Sequence, residues 1–298
     1  MGKQSRIKEI RKDLQADDQK LFLEGQEAGR RMEALGIAPP PECAYPQLQH
    51  LFSSIYAVTV AGWVDALSAE KSEDAIAAAA MHAAKQINRF ERHASKIFSL
   101  DTDAKPDCKM GCNWCCHVRV TIKPHEAILL HRAIEAMPEE ARTRTKARLH
   151  TLATEIAEAP AEKLIRLTRL CPLNEEGKCT VYESRPLVCR TTHSFSVKVC
   201  EEYARRGTVL PSRLNGIVME FGRAVAMATT VALEHLGMDA RSYDLSNIVL
   251  AFDEDARLGA KIAAGDSQAL DRLHRQDAID LVRADIERLN AQESPDAA

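Results

Sequence analysis

Four cysteines fall within nine positions, Cys108, Cys112, Cys115 and Cys116, in the stretch CKMGCNWCCH at 108–117. A second stretch, CPLNEEGKCTVYESRPLVCR, supplies Cys171, Cys179 and Cys189, and Cys200 follows eleven residues later. Thiolates separated by two or three residues can curl around one soft metal, because a tight turn or a single helical turn brings their sulfurs to one point. Gly111, directly before Cys112, allows the backbone to adopt positive φ beside a metal. Cys115 and Cys116 are adjacent, so their side chains diverge and reach two metal atoms more easily than one. Eight thiolates exceed the four of a single tetrahedral zinc. Either the site is polynuclear or some thiols are spare.

An isolated free cysteine is more often a buried, inert small hydrophobe than a ligand. That reading suits Cys43, alone between PPPE and AYP, and not the other eight, which crowd into 108–200. Arg185 and Arg190 flank Cys189 within five residues. Four thiolates on Zn²⁺, or on a [4Fe–4S] cluster in its +2 state, carry a formal charge of −2, which permanently charged guanidinium groups are suited to offset around the cofactor. Surface arginines are the plainer reading of the same residues. Pro172 and Pro186 fix φ beside the ligands. His117 and His193 could each replace a thiolate, since neutral imidazole binds zinc and iron, although enough cysteines are present without them. His125 and His131, on the helix predicted next, read as ordinary helical residues.

The ordered pair of motifs, C-x3-C-x2-C-C and then C-P-L with G-x-C-x-V-Y-E-x-R-P-L-x-C-R, resembles the YkgJ-type cysteine-cluster family of zinc- or iron-chelating proteins. The resemblance covers about 108–200, and it implies a metal-binding core in a bacterial cytosolic protein without settling an activity. Flagellin lysine methylases are a related branch with similar cysteine motifs. No recognisable S-adenosylmethionine site accompanies them here. C-x3-C-x2-C is also the spacing by which radical S-adenosylmethionine enzymes hold a [4Fe–4S] cluster, but that chemistry needs a β/α barrel and strand signals are scarce. Cysteine-only donors suit zinc and iron alike. Thiolate surplus and spacing tip the expectation slightly towards iron or an iron–sulfur cluster, with Zn²⁺ as the alternative.

Elements able to position these residues read as helix almost throughout. Apolar residues recur at helical spacing over 3–34, ended by GIAPPPE, and two further helices are predicted at 45–67 and 72–98. KPHEAILLHRAIEAM and PEEARTRTKARLHTLATEIAEA each open with proline in a first turn and predict a helical hairpin. Residues 212–237 carry one apolar face of a helix central to the core, and a last amphipathic helix is predicted over 266–292, before a frayed tail. KCTVYE, at 178–183, is the best strand candidate. The expected fold is therefore mainly α: a helical bundle around a Cys-rich metal-binding core, with at most a very short strand or hairpin. Its expected organisation is an N-terminal helical region (1–100), a cysteine-cluster domain (101–206) and a C-terminal helical region (207–298), which could pack as one unit.

A chain of 298 residues with 45% hydrophobic content and a net charge of −3 has material for one large core or two small ones. Lys and Arg number 40 against 43 acidic residues, so no basic field attracts nucleic acid or anionic lipid. The N-terminus lacks an apolar signal-peptide core, and no uncharged apolar run is expected to reach bilayer length. Location in the cytoplasm follows as the expectation, and in that reducing compartment nine cysteines are not read as disulfides. No phosphate loop or dinucleotide fingerprint is present. These features predict a metal-binding protein whose site organises a helical scaffold for a possible protein partner. A protein-modifying transferase related to the lysine methylases, and a metal chaperone or sensor, are the alternatives. No catalytic constellation can be named, so enzyme status stays open.

Overall fold

A computed structural model describes residues 3–101, 107–109, 111–164, 167–206, 215–278, 280, 281 and 284, with side chains from residue 16 onward except 89–101. The amphipathic N-terminal segment forms one long helix, α1 (Lys3–Ala34). After the proline run, a single 3-10 turn at Pro46–Leu48 leads into α2 (Gln49–Ala69). Helix α3 (Glu73–Asp101) opens where the Ser72 hydroxyl accepts from the Ala75 N–H at 3.2 Å. The predicted hairpin is α4 (Pro124–Glu135) and α5 (Glu139–Glu158), each with proline at its start. A single turn, α6 (Ala161–Leu164), follows.

The second cysteine stretch is mostly loop, carrying α7 (Leu187–Thr191) and leading to α8 (Val197–Arg206). Helix α9 (Gly216–His235) starts four residues later than its apolar pattern predicts, because the Asn215 carboxamide caps it by accepting from the Val218 N–H at 3.2 Å. Residues 212–214 lie outside the described set. Helices α10 (Leu245–Glu254) and α11 (Leu258–Ala263) follow. The helix predicted over 266–292 begins as a 3-10 stretch, Ser267–Leu273, and most of the rest, with the tail, is outside the described residues.

Strand is confined to two-residue pieces. β1 (Thr121–Ile122) pairs antiparallel with β4 (Tyr243–Asp244). β2 (Asn174–Glu175) pairs with β3 (Lys178–Cys179) through the Glu176–Gly177 turn. KCTVYE thus keeps strand geometry only at its first two residues; Tyr182–Ser184 winds into a 3-10 turn instead.

The largest hydrophobic cluster runs from Ala28 to Leu270 in sequence, drawing on α2, α4, α9 and α10 together. At its centre Trp63 of α2 is 1% exposed, and its indole N–H donates to the Thr229 hydroxyl of α9 at 3.0 Å. The expectation that no apolar run reaches bilayer length concerned uncharged runs, and the two long apolar segments both carry charge, Asp65 in one and Glu220, Arg223 and Glu234 in the other. Residues 46–69 and 216–235 are both long and apolar enough to cross a membrane. In this fold 67% and 56% of their most apolar 18-residue stretches are buried inside the protein, so core packing accounts for their hydropathy.

Candidate metal centre

The first cysteine stretch is a tight loop. The Cys112 N–H donates to the Lys109 carbonyl at 2.9 Å, Gly111 sits at φ +88°, and Trp114–His117 form one 3-10 turn. A side chain at Gly111 would be strained in that left-handed region. From this turn the chain joins the second stretch by backbone contacts: the Cys171 N–H donates to the Cys116 carbonyl at 2.7 Å and the Arg169 N–H to the His117 carbonyl at 3.0 Å. Val118 and Thr168 form a bridge alongside. The α4–α5 hairpin closes on itself, and so two stretches more than fifty residues apart in sequence meet.

All nine cysteines are free thiols. Eight of them sort into two groups at the Cys115–Cys116 bond. Cys116, Cys171, Cys179 and Cys189 form an inner group in which each sulfur lies within electrostatic reach of the other three. Burial pushes the Cys171 thiol up to about 12 and raises Cys189 further; Cys179 is raised by the same cause. Cys116 is lowered, first by a hydrogen bond from the Cys115 thiol and then by the Asn174 side chain. Asn174 is 4% exposed, and its Nδ2 makes no hydrogen bond. A buried amide N–H left without a partner beside this group is a donor that a metal-bound thiolate could use.

The outer group is Cys108, Cys112, Cys115 and Cys200. Burial raises Cys108, and Cys112 and Cys200 add to the effect. The Cys115 thiol is raised most of all by its hydrogen bond to Cys116, then by burial, with Cys108 and Cys189 also in reach. The Ser194 N–H donates to the Cys108 sulfur at 3.1 Å. Asp107 accepts from the Val197 N–H at 3.1 Å, capping α8 and placing Cys200 over the Trp114 turn. Cys108 and Cys115 are exposed, whereas every member of the inner group is at least half-buried.

Arg190 is 3% exposed, and its guanidinium holds the chain around Cys189 by donating to the Arg185 carbonyl at 2.9 Å, to the Glu183 carbonyl and to Asn88 Oδ1 at 3.2 Å. Arg185 stacks on the Tyr182 ring at 4.1 Å. Both guanidinium groups lower the Cys179 thiol against the effect of burial. His117 stacks beside Trp114 with ring centres 5.7 Å apart, and the backbone of His193 is held between Thr191 and Asn215. Cys43 is 6% exposed in a separate cluster with Leu21, Phe52 and Phe221 that contains no other cysteine.

Among the described residues, the one trio with ligand atoms all within 4.8 Å of one another is His131, Glu135 and Asp253. Sequence patterning left His131 as an ordinary helical residue, since Asp253 is distant in the chain. Lys146 Nζ lies 2.6 Å from Glu135 and 2.7 Å from Asp253, so an ammonium already supplies the cation there. No three of the eight sulfurs fall within that 4.8 Å limit.

Residues 107–212, about a third of the chain, match the model of the CxxCxxCC family, described as a "putative zinc- or iron-chelating domain". The match agrees with the resemblance carried by the motifs and supports metal binding by this stretch. No curated protein and no solved structure matches the chain.

Proposed function

We propose that the protein binds metal through two four-thiolate groups, inner and outer, and that the inner group holds an iron–sulfur cluster that braces the helical scaffold. Separation of eight thiols into two fours, without any three sulfurs inside 4.8 Å, carries this reading. A single tetrahedral zinc with ~2.3 Å bonds draws its sulfurs to ~3.8 Å from one another. A polynuclear core several ångström across spreads its thiolates wider. Arg190 and Asn174 fit the same reading: one is a fixed cation beside Cys189, the other a buried amide whose Nδ2 is left without a partner near Cys116. Nine free thiols also favour a reducing compartment such as the cytoplasm.

The exposed Cys108 and Cys115 favour a second role for the outer group alone, as an exchangeable site of the chaperone or sensor kind. Protein purified without oxygen tests both roles. It should be brown, with broad absorbance bleached by dithionite or air, and a chelator should remove outer-group metal first. A colourless protein holding stoichiometric zinc refutes the iron–sulfur reading.

A further inference from the structure

On the far side of α7 from Cys189 lies a cleft of about 310 Å³, walled by α4, α7 and α9 and unrelated in its lining to the eight cysteines. Leu187, Val188, Thr191 and Thr192 face it from α7, at the spacing that leaves Cys189 and Arg190 on the other side of the same short helix. Its walls are largely apolar, with Ile122, Met219 and Ala226 opposite. The volume is at the lower end of small-molecule sites.

Polar groups in this cleft divide into those already satisfied and those still available. Glu126 is held in place: its two carboxylate oxygens each accept one backbone N–H, from Lys123 at 2.9 Å and from Leu187 at 2.7 Å. Arg223 is also committed, to Glu220 at 2.6 Å and to the Glu42 carbonyl at 2.6 Å. The Thr191 and Thr192 hydroxyls donate to carbonyls of their own helix. The Thr121 and Ser242 hydroxyls also line the cleft, and three further groups remain. Lys123 Nζ donates to the Ala240 carbonyl and has no carboxylate within 4.0 Å among the described residues, which leaves two of its N–H bonds. The Thr229 hydroxyl accepts from Trp63 and keeps its own proton to give. His125 is 8% exposed, its ring is held edge-on by Trp63 at 5.0 Å, and its Nδ1 has no partner.

We propose that this cleft binds a small organic monocarboxylate, its carboxylate received by Lys123, Thr229 and His125 and its apolar body lying against α7 and Met219. The Lys123 ammonium has no carboxylate in direct contact, so in this apolar setting an anion that reaches its two remaining N–H bonds is a complementary guest. A single ammonium with two neutral donors suits one carboxylate; phosphate would call for a denser set of N–H groups. An amine would meet the Lys123 ammonium as a like charge. The ring of His125 was read from sequence as an ordinary helical residue, and burial at a pocket floor is invisible to helical spacing.

The test is ligand-observed NMR and calorimetric titration of the metal-loaded full chain with hexanoate and benzoate. Hexanamide, hexylamine and inorganic phosphate serve as comparators, each up to about 10 mM, since dissociation constants near ~1 mM are expected for ligands of this size. At least one of the acids should bind saturably and at least tenfold tighter than the amide or the amine. Lys123→Gln should weaken it tenfold or more and Thr229→Val threefold or more. Ala226→Phe, which fills the cleft from α9 and leaves each donor residue in place, should abolish binding while metal content stays unchanged, and this covers the case in which Lys123→Gln fails to fold. Equal binding of amide and acid, binding of phosphate alone, no binding of either acid, or full binding by folded Ala226→Phe would each overturn the proposal.

Discussion

Replacing Gly222 by alanine puts a methyl group where α9 has no room for one. A Cβ built there lies 2.4 Å from Thr191 Cγ2 and 2.9 Å from Thr191 Cβ. Carbon atoms pack at about 3.5–4.0 Å, so α7 must withdraw from α9 by roughly 1 Å. Cys189 sits two residues from Thr191 on that five-residue helix and moves with it. Metal–thiolate bonds tolerate about 0.2 Å, and the displacement is several times larger. Two terms oppose each other in the protein itself: overpacking costs ~1–3 kcal/mol, and alanine in a helix interior returns ~1 kcal/mol over glycine. The unfolding temperature of metal-stripped protein should therefore fall by only a few degrees. Loss of metal should be the larger effect. In competition with a fixed concentration of chelator, Gly222→Ala should surrender inner-group metal that the parent protein keeps. Thr191→Ser removes the closest methyl carbon, and in the Gly222→Ala background it should restore part of the retention, a coupling that a double-mutant cycle measures. Parental metal retention in Gly222→Ala, or no recovery in the double variant, would refute the argument that α7 sets the position of Cys189.

Three other expectations follow from the same geometry. Cys112→Ser should lower both metal content and unfolding temperature, while Cys43→Ser should change the metal content of purified protein very little, because Cys43 packs among Leu21 and Phe52 alone; equal metal retention in the two variants would remove Cys112 from the ligand set. Arg190→Met should cost about 2 kcal/mol, since two part-buried carbonyls and the Asn88 carboxamide lose their donor, and Arg190→Lys should not rescue it because one ammonium cannot make the fork; thermal unfolding of both variants checks this. Burial holds the imidazole of His125 neutral, with a pKa lowered to about 3 against an unfolded value near 6.5. Between those values the unfolded chain binds the extra proton, so stability falls as pH drops from about 6.5 towards 3, by up to ~4 kcal/mol, and is unaffected above. Urea titrations across that range should show a shallower slope for His125→Phe; an unchanged slope would place the proton elsewhere.

Periodicity made the helices readable because each buries a continuous stripe: α1, α2 and the α4–α5 hairpin begin and end within a few residues of their apolar patterns. Chain spacing could say that Cys108–Cys116 form a chelating loop, but its expectation that Cys115 and Cys116 point apart fails, because the Cys115 thiol turns onto the Cys116 sulfur. It could not say which distant sulfur joins which neighbour. That division depends on the Cys116–Cys171 backbone contact and on Asp107 capping α8, both made between residues remote in sequence. Gly222 looked like any glycine within a helix pattern until Thr191 came to rest against it. His125 shows the same gap at a single residue: spacing gives the face of a helix, and only packing shows that Trp63 closes over the ring while its Nδ1 goes without a partner.

The meeting of Cys116 with Cys171 also bears on the order of events during synthesis. Cys200 emerges eighty-four residues after Cys116, which at ribosomal speeds is roughly 4–17 s. Over that interval four thiols of the first loop are bare, and a bare thiolate loop follows intrinsic affinity, which ranks copper above zinc and iron. Only when residues 171–200 arrive does the protein impose its own geometry on the choice. The long hairpin between the two halves therefore acts as a delay. The metal that the finished protein carries is decided by competition between whatever the nascent loop captures first and what the completed fold can hold.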